Sequence, residues 1–147
     1  GVEVGAAATT YEIGTLSRIT YWHQRPDGLL GVTVQGEQRF RVLRCQVEPS
    51  QLVMAEDELL PAVPTSVLPP EYAPMASLLE GIIDQLDAPF SILPRHLDEA
   101  DWVVGRLVEL LPIELAQKQY FLQLNDTSQR LERLRGVLQD MVMWPRE

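Results

Sequence analysis

Residues 61–70 read PAVPTSVLPP, and this proline-rich stretch divides the chain into two parts of different character. Proline fixes φ and has no backbone N–H, so neither a helix nor a central strand tolerates four of them so close together. We therefore expect a stiff connector over residues 61–70. Residues 1–60 form one predicted subdomain and residues 71–147 the other.

The part before the connector has the pattern of a β-rich subdomain. From Thr15 to Glu58, β-branched and aromatic residues support a series of short strands. Two turn signals interrupt the series, Pro-Asp-Gly at residues 26–28 and Gln-Gly-Glu at residues 35–37. The four strands predicted from these signals cover residues 15–22, 29–34, 39–47 and 52–55. Short strands joined by tight turns indicate a small barrel or sandwich.

The part after the connector has helical periodicity. From Met75 to Leu86, apolar residues recur at spacings of three and four, which is typical of an amphipathic helix. The three helices predicted after it cover residues 98–111, residues 113–124 and a last segment that starts at residue 126. Asp98 and Asp126 are the predicted N-caps of the first and last of these three helices. Pro112 is predicted to end the first helix and to open the second.

Charge and composition narrow the classes of partner. The chain of 147 residues has 21 acidic and 12 basic side chains, which gives a net charge of -9. A field of this sign repels phosphate backbones and anionic lipid surfaces, so we expect neither nucleic acid nor a membrane as a partner. No apolar run approaches the roughly 20 residues that a membrane-spanning helix needs.

Cys45 is the only cysteine, so no internal disulfide can form. A reducing compartment fits this composition, and we expect a cytoplasmic protein. Because Cys45 lies in a strand-like run, it is predicted to be a small buried side chain rather than a nucleophile. The chain starts at Gly1 without an initiator methionine, so we expect that it has been processed or trimmed.

The residues that catalysis would need are scarce. Lys118 is the only lysine, and Gln117 before it is not the glycine that a phosphate-binding GxxxxGK[ST] loop requires. No nucleophile motif surrounds Lys118, so a Ser/Lys proteolytic dyad is not expected either. His23 and His96 are far apart in sequence and have no further ligands at metal spacing. We therefore predict no catalytic residue, no metal site and no cofactor.

Two charged clusters have simple structural interpretations. Asp98, Glu99 and Asp101 fall where a helix is predicted to begin, and capping explains them better than paired-carboxylate catalysis does. The only local basic cluster consists of Arg39, Arg41 and Arg44. An arginine-bearing β-face is one way to contact RNA, but the net charge and the sparse aromatic residues favour a solvated outer face.

Several stretches occur in an order that resembles one known family. They are residues 12–19, 26–28, 36–42, 101–103, 107–112 and 130–134. Together they are similar to the N-terminal, substrate-binding domain of Lon proteases, including its stand-alone bacterial relatives. The resemblance implies an α+β fold in which a PUA-like β-barrel precedes a C-terminal α-helical bundle. The family usually begins with further strands, so the barrel is expected to be incomplete in this chain.

The resemblance also implies a function. In Lon the domain helps to bind unfolded polypeptide ahead of the ATPase and protease domains, so we expect recognition of unfolded polypeptide or a protein partner without catalysis. Trp22 is the first candidate contact, because strict alternation places it opposite Ile19 and Tyr21. Packing of that face against the helices is its alternative role. Trp102 is the second candidate, either lining a groove between the halves or lying in the core.

Two other functions stay open at this point. PUA-like barrels include RNA-binding modules, and the helical half could serve an adaptor that docks on a chaperone or protease.

Overall fold

The structure is a computed structural model that describes residues 9–146. These residues form three strands and four α-helices, so the predicted α+β class is confirmed, with the β-rich part first. The chain divides into two compact units, Gly1–Ala62 and Val63–Glu147. We call them the sheet unit and the helical unit.

The sheet unit is an antiparallel sheet in the order β1-β2-β3. Its strands are β1 (Ile13–Gln24), β2 (Leu30–Val47) and β3 (Val53–Leu59). The predicted turn at residues 26–28 joins β1 to β2, with Gly28 at a φ of 85° that L side chains rarely adopt. The Asp27 carboxylate accepts a hydrogen bond from the backbone N–H of Leu29 at 3.0 Å, which fixes this turn.

The predicted turn at residues 35–37 is wrong, because β2 runs without interruption through it. The ladder with β1 shifts here: Thr15 pairs with Arg39, whereas Ser17 pairs with Gly36. Two steps along β1 thus match three along β2, which is a β-bulge. Glycine is common both at turns and at bulges, and the local sequence does not separate the two. Two predicted strands are therefore one strand.

The sheet unit buries few of its apolar side chains. Among its described residues, only Ile13 and Leu60 are buried hydrophobics. The predicted short strand at residues 52–55 is the start of β3, which continues to Leu59. The described strands form an open three-stranded sheet, which agrees with the expectation that a barrel would be incomplete.

The helical unit has an apolar core. Its helices are α1 (Ala73–Ile83), α2 (Ala100–Leu110), α3 (Leu115–Gln123) and α4 (Thr127–Asp140). Leu79, Leu107 and Leu134 are fully buried in one cluster. Burying a leucine side chain stabilises a fold by about 1.5–3 kcal/mol, so this cluster is the main source of stability in the unit.

Two predicted helix starts differ from the observed ones. The N-cap of α2 is Glu99 and its side chain makes no capping hydrogen bond, so the predicted cap by Asp98 is wrong. Instead, the backbone N–H of Ala100 donates to the carbonyl oxygen of Ser66 at 2.8 Å, and Leu68 donates to Asp98 at 2.8 Å. This short ladder satisfies backbone groups at the start of the helix.

At the third helix, Pro112 does not open the helix, because α3 starts only at Leu115. The last predicted start is confirmed. The Asp126 carboxylate caps α4 by accepting from the backbone N–H of Gln129 at 3.1 Å.

Candidate functional site

A second bulge, at Thr20 in β1, decides which face carries Trp22. Ile19 pairs with Val34 and Tyr21 pairs with Thr33, so β1 advances two residues while β2 advances one. The extra residue reverses the alternation along β1. Because Trp22 pairs with Val32, it shares a face with Ile19. The predicted placement of Trp22 opposite Ile19 is therefore wrong, although it does lie opposite its neighbour Tyr21.

The bulge gathers apolar side chains on one face of the hairpin, which we call the apolar sheet face. Its members are exposed over 49% to 67% of their surface, with Trp22 the most exposed. They are Ile19, Trp22, Leu30, Val32 and Val34. Soluble proteins rarely leave such apolar side chains contiguous on a surface unless the surface binds something.

The opposite face of the same hairpin is polar and aromatic. Tyr21 stacks on His23 with ring centroids 5.7 Å apart. The His23 ring covers Gly31, where an added Cβ would lie 2.6 Å from it. Arg18 donates to the side-chain oxygen of Gln35 at 3.1 Å. His23 is thus an exposed histidine that packs on its neighbours, as expected for a surface residue.

Trp102 lies in the helical unit, in the first turn of α2, and is half-buried. Its indole meets the His96 ring edge-on at a centroid distance of 5.7 Å. It also lines a cleft within this unit, which we call the Trp102 cleft. The cleft is lined by Ile83, Phe90, Leu93, Pro94, Arg95, Trp102, Arg106 and Leu110. The two tryptophans predicted to bind polypeptide therefore belong to different units.

Two of the three arginines in the basic cluster of the sheet unit lie opposite acidic residues of β3. Arg44 forms an ion pair with Glu56, its partner on β3. Arg41 is paired in register with Glu58. Arg39 donates to the carbonyl oxygen of Pro61 at 3.2 Å, and partial burial lowers its pKa from the usual arginine value. These partners compete with a phosphate backbone, which disfavours an RNA-binding face here.

Three further residues weighed as candidates for catalysis or metal binding are Cys45, Lys118 and His96, and the structure places each in a simple local setting. Cys45 is exposed, so its predicted burial is wrong. The strand-like pattern around it does form β2, but most of the described side chains of this strand are exposed. Lys118 donates to the carbonyl oxygen of Glu109 at 2.9 Å and so ties α3 to the end of α2. His96 lies 3.5 Å from the carboxylate of Glu99.

Residues 9–146 contain neither a cluster of metal ligands nor a membrane-spanning helix. Within this range, no group of three His, Cys, Asp or Glu side chains is arranged to hold a metal ion. No helix in the same range combines the length and apolar character that crossing a bilayer requires.

Sequence reasoning found only part of the apolar sheet face. In the sequence, the alternation of Leu30, Val32 and Val34 predicts that these three residues share one face of a strand. Their association with Ile19 and Trp22 was not visible, because nothing in the local sequence marks Thr20 as a bulge.

The fold and the sequence together define the class of protein. The sequence profile described as the substrate-binding domain of ATP-dependent protease La (LON) matches residues 2–140. The chain belongs to this family of substrate-binding domains. The match is to that domain and not to the ATPase or protease domains.

Particular relatives agree with this assignment. The chain is 26% identical to the Lon protease of Vibrio parahaemolyticus over 137 residues, and 27% identical to Lon protease 2 of Herpetosiphon aurantiacus over 146 residues. These alignments cover 90% and 93% of this chain. The chain spans only 17% of the length of either relative.

Solved structures show the same fold. The crystal structure of a Lon N-terminal domain protein from Xanthomonas campestris has a TM-score of 0.68 and 34% identity, covering 84% of this chain and 66% of that one. The N-terminal domain of Mycobacterium avium complex Lon protease has a TM-score of 0.52 and 15% identity, covering 95% and 74%. The second likeness concerns the fold alone.

Proposed function

We propose that this chain is a non-catalytic cytoplasmic domain that binds unfolded or extended polypeptide. Trp22 on the apolar sheet face is its principal contact, and Trp102 in the helical unit contributes a second one. The observation that carries the proposal is the contiguous exposure of five apolar side chains on one face of the β1–β2 hairpin. Membership of a substrate-binding family supports it.

The energetics suit binding of an unfolded polypeptide, which we call the client, with little dependence on its sequence. A tryptophan contributes a large apolar surface, and covering most of Trp22 would supply about 2 kcal/mol. Burial of apolar surface has little directional preference, so many sequences with exposed apolar residues satisfy the same face. Unfolded chains present such residues and folded proteins mostly hide them.

Binding without hydrolysis is the expected activity. The lone Lys118 donates a hydrogen bond to a backbone carbonyl at the end of α2, which is a structural role. The family match covers a recognition domain, so any degradation of the client would be performed elsewhere.

A titration with one client in two states tests the proposal. A reduced and carboxymethylated protein, which stays unfolded, is added while tryptophan fluorescence is followed. Its native, disulfide-intact form is the control. The proposal predicts a saturable change with the unfolded form and none with the native form. Equal binding of both forms would favour an adaptor that docks on folded partners, and no saturable change with either form would refute client binding.

A further inference from the structure

The first strand is an edge of the sheet in the part of the chain that the structure describes. In the order β1-β2-β3, β1 has a partner on one side only, and its ladder from Ser17 to Gln24 is with β2. An antiparallel strand alternates between backbone groups that bond its partner and groups that point the other way. The outward groups of β1 therefore form a row of donors and acceptors, which the bulge at Thr20 interrupts once.

The two edges of this sheet differ in charge. Edge strands are commonly protected against pairing with other chains by charged side chains. β3 follows this rule, since residues 56–58 are three consecutive acids. In β1, Arg18 is the only Arg, Lys, Asp or Glu among 12 residues, and it donates to the side chain of Gln35 on β2 at 3.1 Å. Of these two edges, β1 is thus the one that an extended chain can approach without crossing a row of charges.

The edge of β1 also borders the apolar sheet face. Ile19 and Trp22 belong to β1, whereas the other three members of that face lie further in, on β2. A strand added beside β1 would place alternate side chains on the apolar sheet face, about 5 Å from those of Ile19 and Trp22. One bound segment would thus combine backbone hydrogen bonds with apolar contacts.

The sheet unit has apolar burial to gain from such an addition. Ile13 and Leu60 are its only buried hydrophobics among the described residues, so apolar burial stabilises this unit less than it stabilises the helical unit. Sheets of few strands need a covered apolar face to be stable. A strand that covers the margin of this face and binds only the folded sheet would stabilise the unit by mass action.

We propose that an extended client segment adds to the outer edge of β1 as a fourth strand. This inference rests on the proposed function and specifies how the client is held. Main-chain hydrogen bonds to β1 supply affinity, and alternate apolar side chains of the client pack beside Ile19 and Trp22. Because the main chain is the same in every polypeptide, this mode suits unfolded clients of varied sequence. The net charge of -9 favours segments without acidic residues.

Amide hydrogen exchange, followed by NMR on the full chain, tests the pairing residue by residue. The probe is a peptide of about eight residues in which apolar and polar side chains alternate, with a lysine at each end to keep it monomeric. The outward amides of β1 between Ser17 and Gln24 should exchange rapidly without the peptide and at least tenfold more slowly at saturation. The outward amides of β3 are the matched control and should not change. Outward β1 amides that are already protected without the peptide, or slowing at β3 alone, would overturn the inference.

Singly N-methylated forms of the same peptide test the hydrogen bonds from the other side. Each methyl group removes one backbone donor and leaves every side chain unchanged. Affinity, measured by fluorescence anisotropy, should fall at least fivefold at alternate positions and less than twofold at the positions between them. The alternation should break once, at the position opposite Thr20. Losses that are equal at all positions would overturn strand addition.

The outcomes separate this inference from the function on which it rests. If the peptide and a carboxymethylated client bind while the β1 amides stay unprotected, the client lies on the apolar sheet face without adding a strand, and only this inference falls. If neither binds, the proposed function falls as well. Sedimentation velocity tests a second copy of the chain as the occupant: a dimer that the peptide does not dissociate would assign the β1 edge to that copy and overturn the inference.

Discussion

Trp22 pairs with Val32 across the β1–β2 hairpin, and Ile19 pairs with Val34 on the same side of the sheet. The two pairs lie next to each other only because Thr20 is an extra residue in β1. If β1 instead alternated strictly through Thr20, Trp22 would point to the face that carries Tyr21 in this structure. The bulge at Thr20 is thus what makes the apolar sheet face contiguous.

A charge placed on this face should weaken client binding. We expect Val32→Glu to raise the dissociation constant for an unfolded client about tenfold, because apolar contact is lost and the carboxylate must be desolvated under the client. Anisotropy of a labelled, carboxymethylated client measures the effect. The matched control is Gln35→Glu, which adds the same charge to the opposite face, where Arg18 can receive it. A similar loss in both variants would show that net charge, and not the face, controls binding.

The cap of α4 should contribute measurably to the helical unit. Asp126→Ala removes the carboxylate that accepts from Gln129, so we expect the free energy of unfolding to fall by about 1 kcal/mol. Thermal denaturation followed by far-ultraviolet circular dichroism reports it. Glu114→Ala is the control, because Glu114 is the N-cap of α3 but its side chain makes no capping bond. Its effect should be below about 0.5 kcal/mol.

A glycine inside α2 offers a stabilising substitution. Apart from its chain neighbours and the backbone of α2, no described heavy atom lies within 4 Å of a Cβ built on Gly105, so Gly105→Ala should stabilise the helical unit by about 0.5–1 kcal/mol. Urea denaturation measures the gain. Gly28→Ala is the contrasting variant: there is also space for its Cβ, but its φ of 85° is strained for alanine. Amide hydrogen exchange in the hairpin should therefore accelerate in Gly28→Ala, and unchanged exchange would contradict that account.

The parts of the fold that could be predicted from the sequence are those held by interactions between residues close together in the chain. The periodicity from Met75 to Leu86 located α1, since packing of one helix face leaves a repeating local signal. Asp126 was recognised as a cap for the same reason, because its partner is three residues away. By contrast, the backbone N–H of Ala100 at the start of α2 donates to Ser66, far back in the sequence, and the prediction of Asp98 as the cap is therefore wrong.

The candidate sites show the same limit. Trp22 and Trp102 were selected as single residues, but their neighbours depend on a register shift and on the path of residues 90–95. Gly36 indicates either a turn or a bulge, and the sequence does not separate the two. Nothing in the sequence around Thr20 indicates the bulge there. Neither the apolar sheet face nor the Trp102 cleft could therefore be assembled before the strands and helices were paired.

The central claim is that Trp22 is the principal contact for unfolded polypeptide, and the comparison of Trp22→Ala with Tyr21→Ala tests it most directly. Both substitutions remove an exposed aromatic side chain from β1, and the two side chains lie on opposite faces. Affinity for a carboxymethylated client should fall at least fivefold in Trp22→Ala and less than twofold in Tyr21→Ala. Unchanged affinity in folded Trp22→Ala, or an equal loss in both variants, would contradict the assignment of the apolar sheet face.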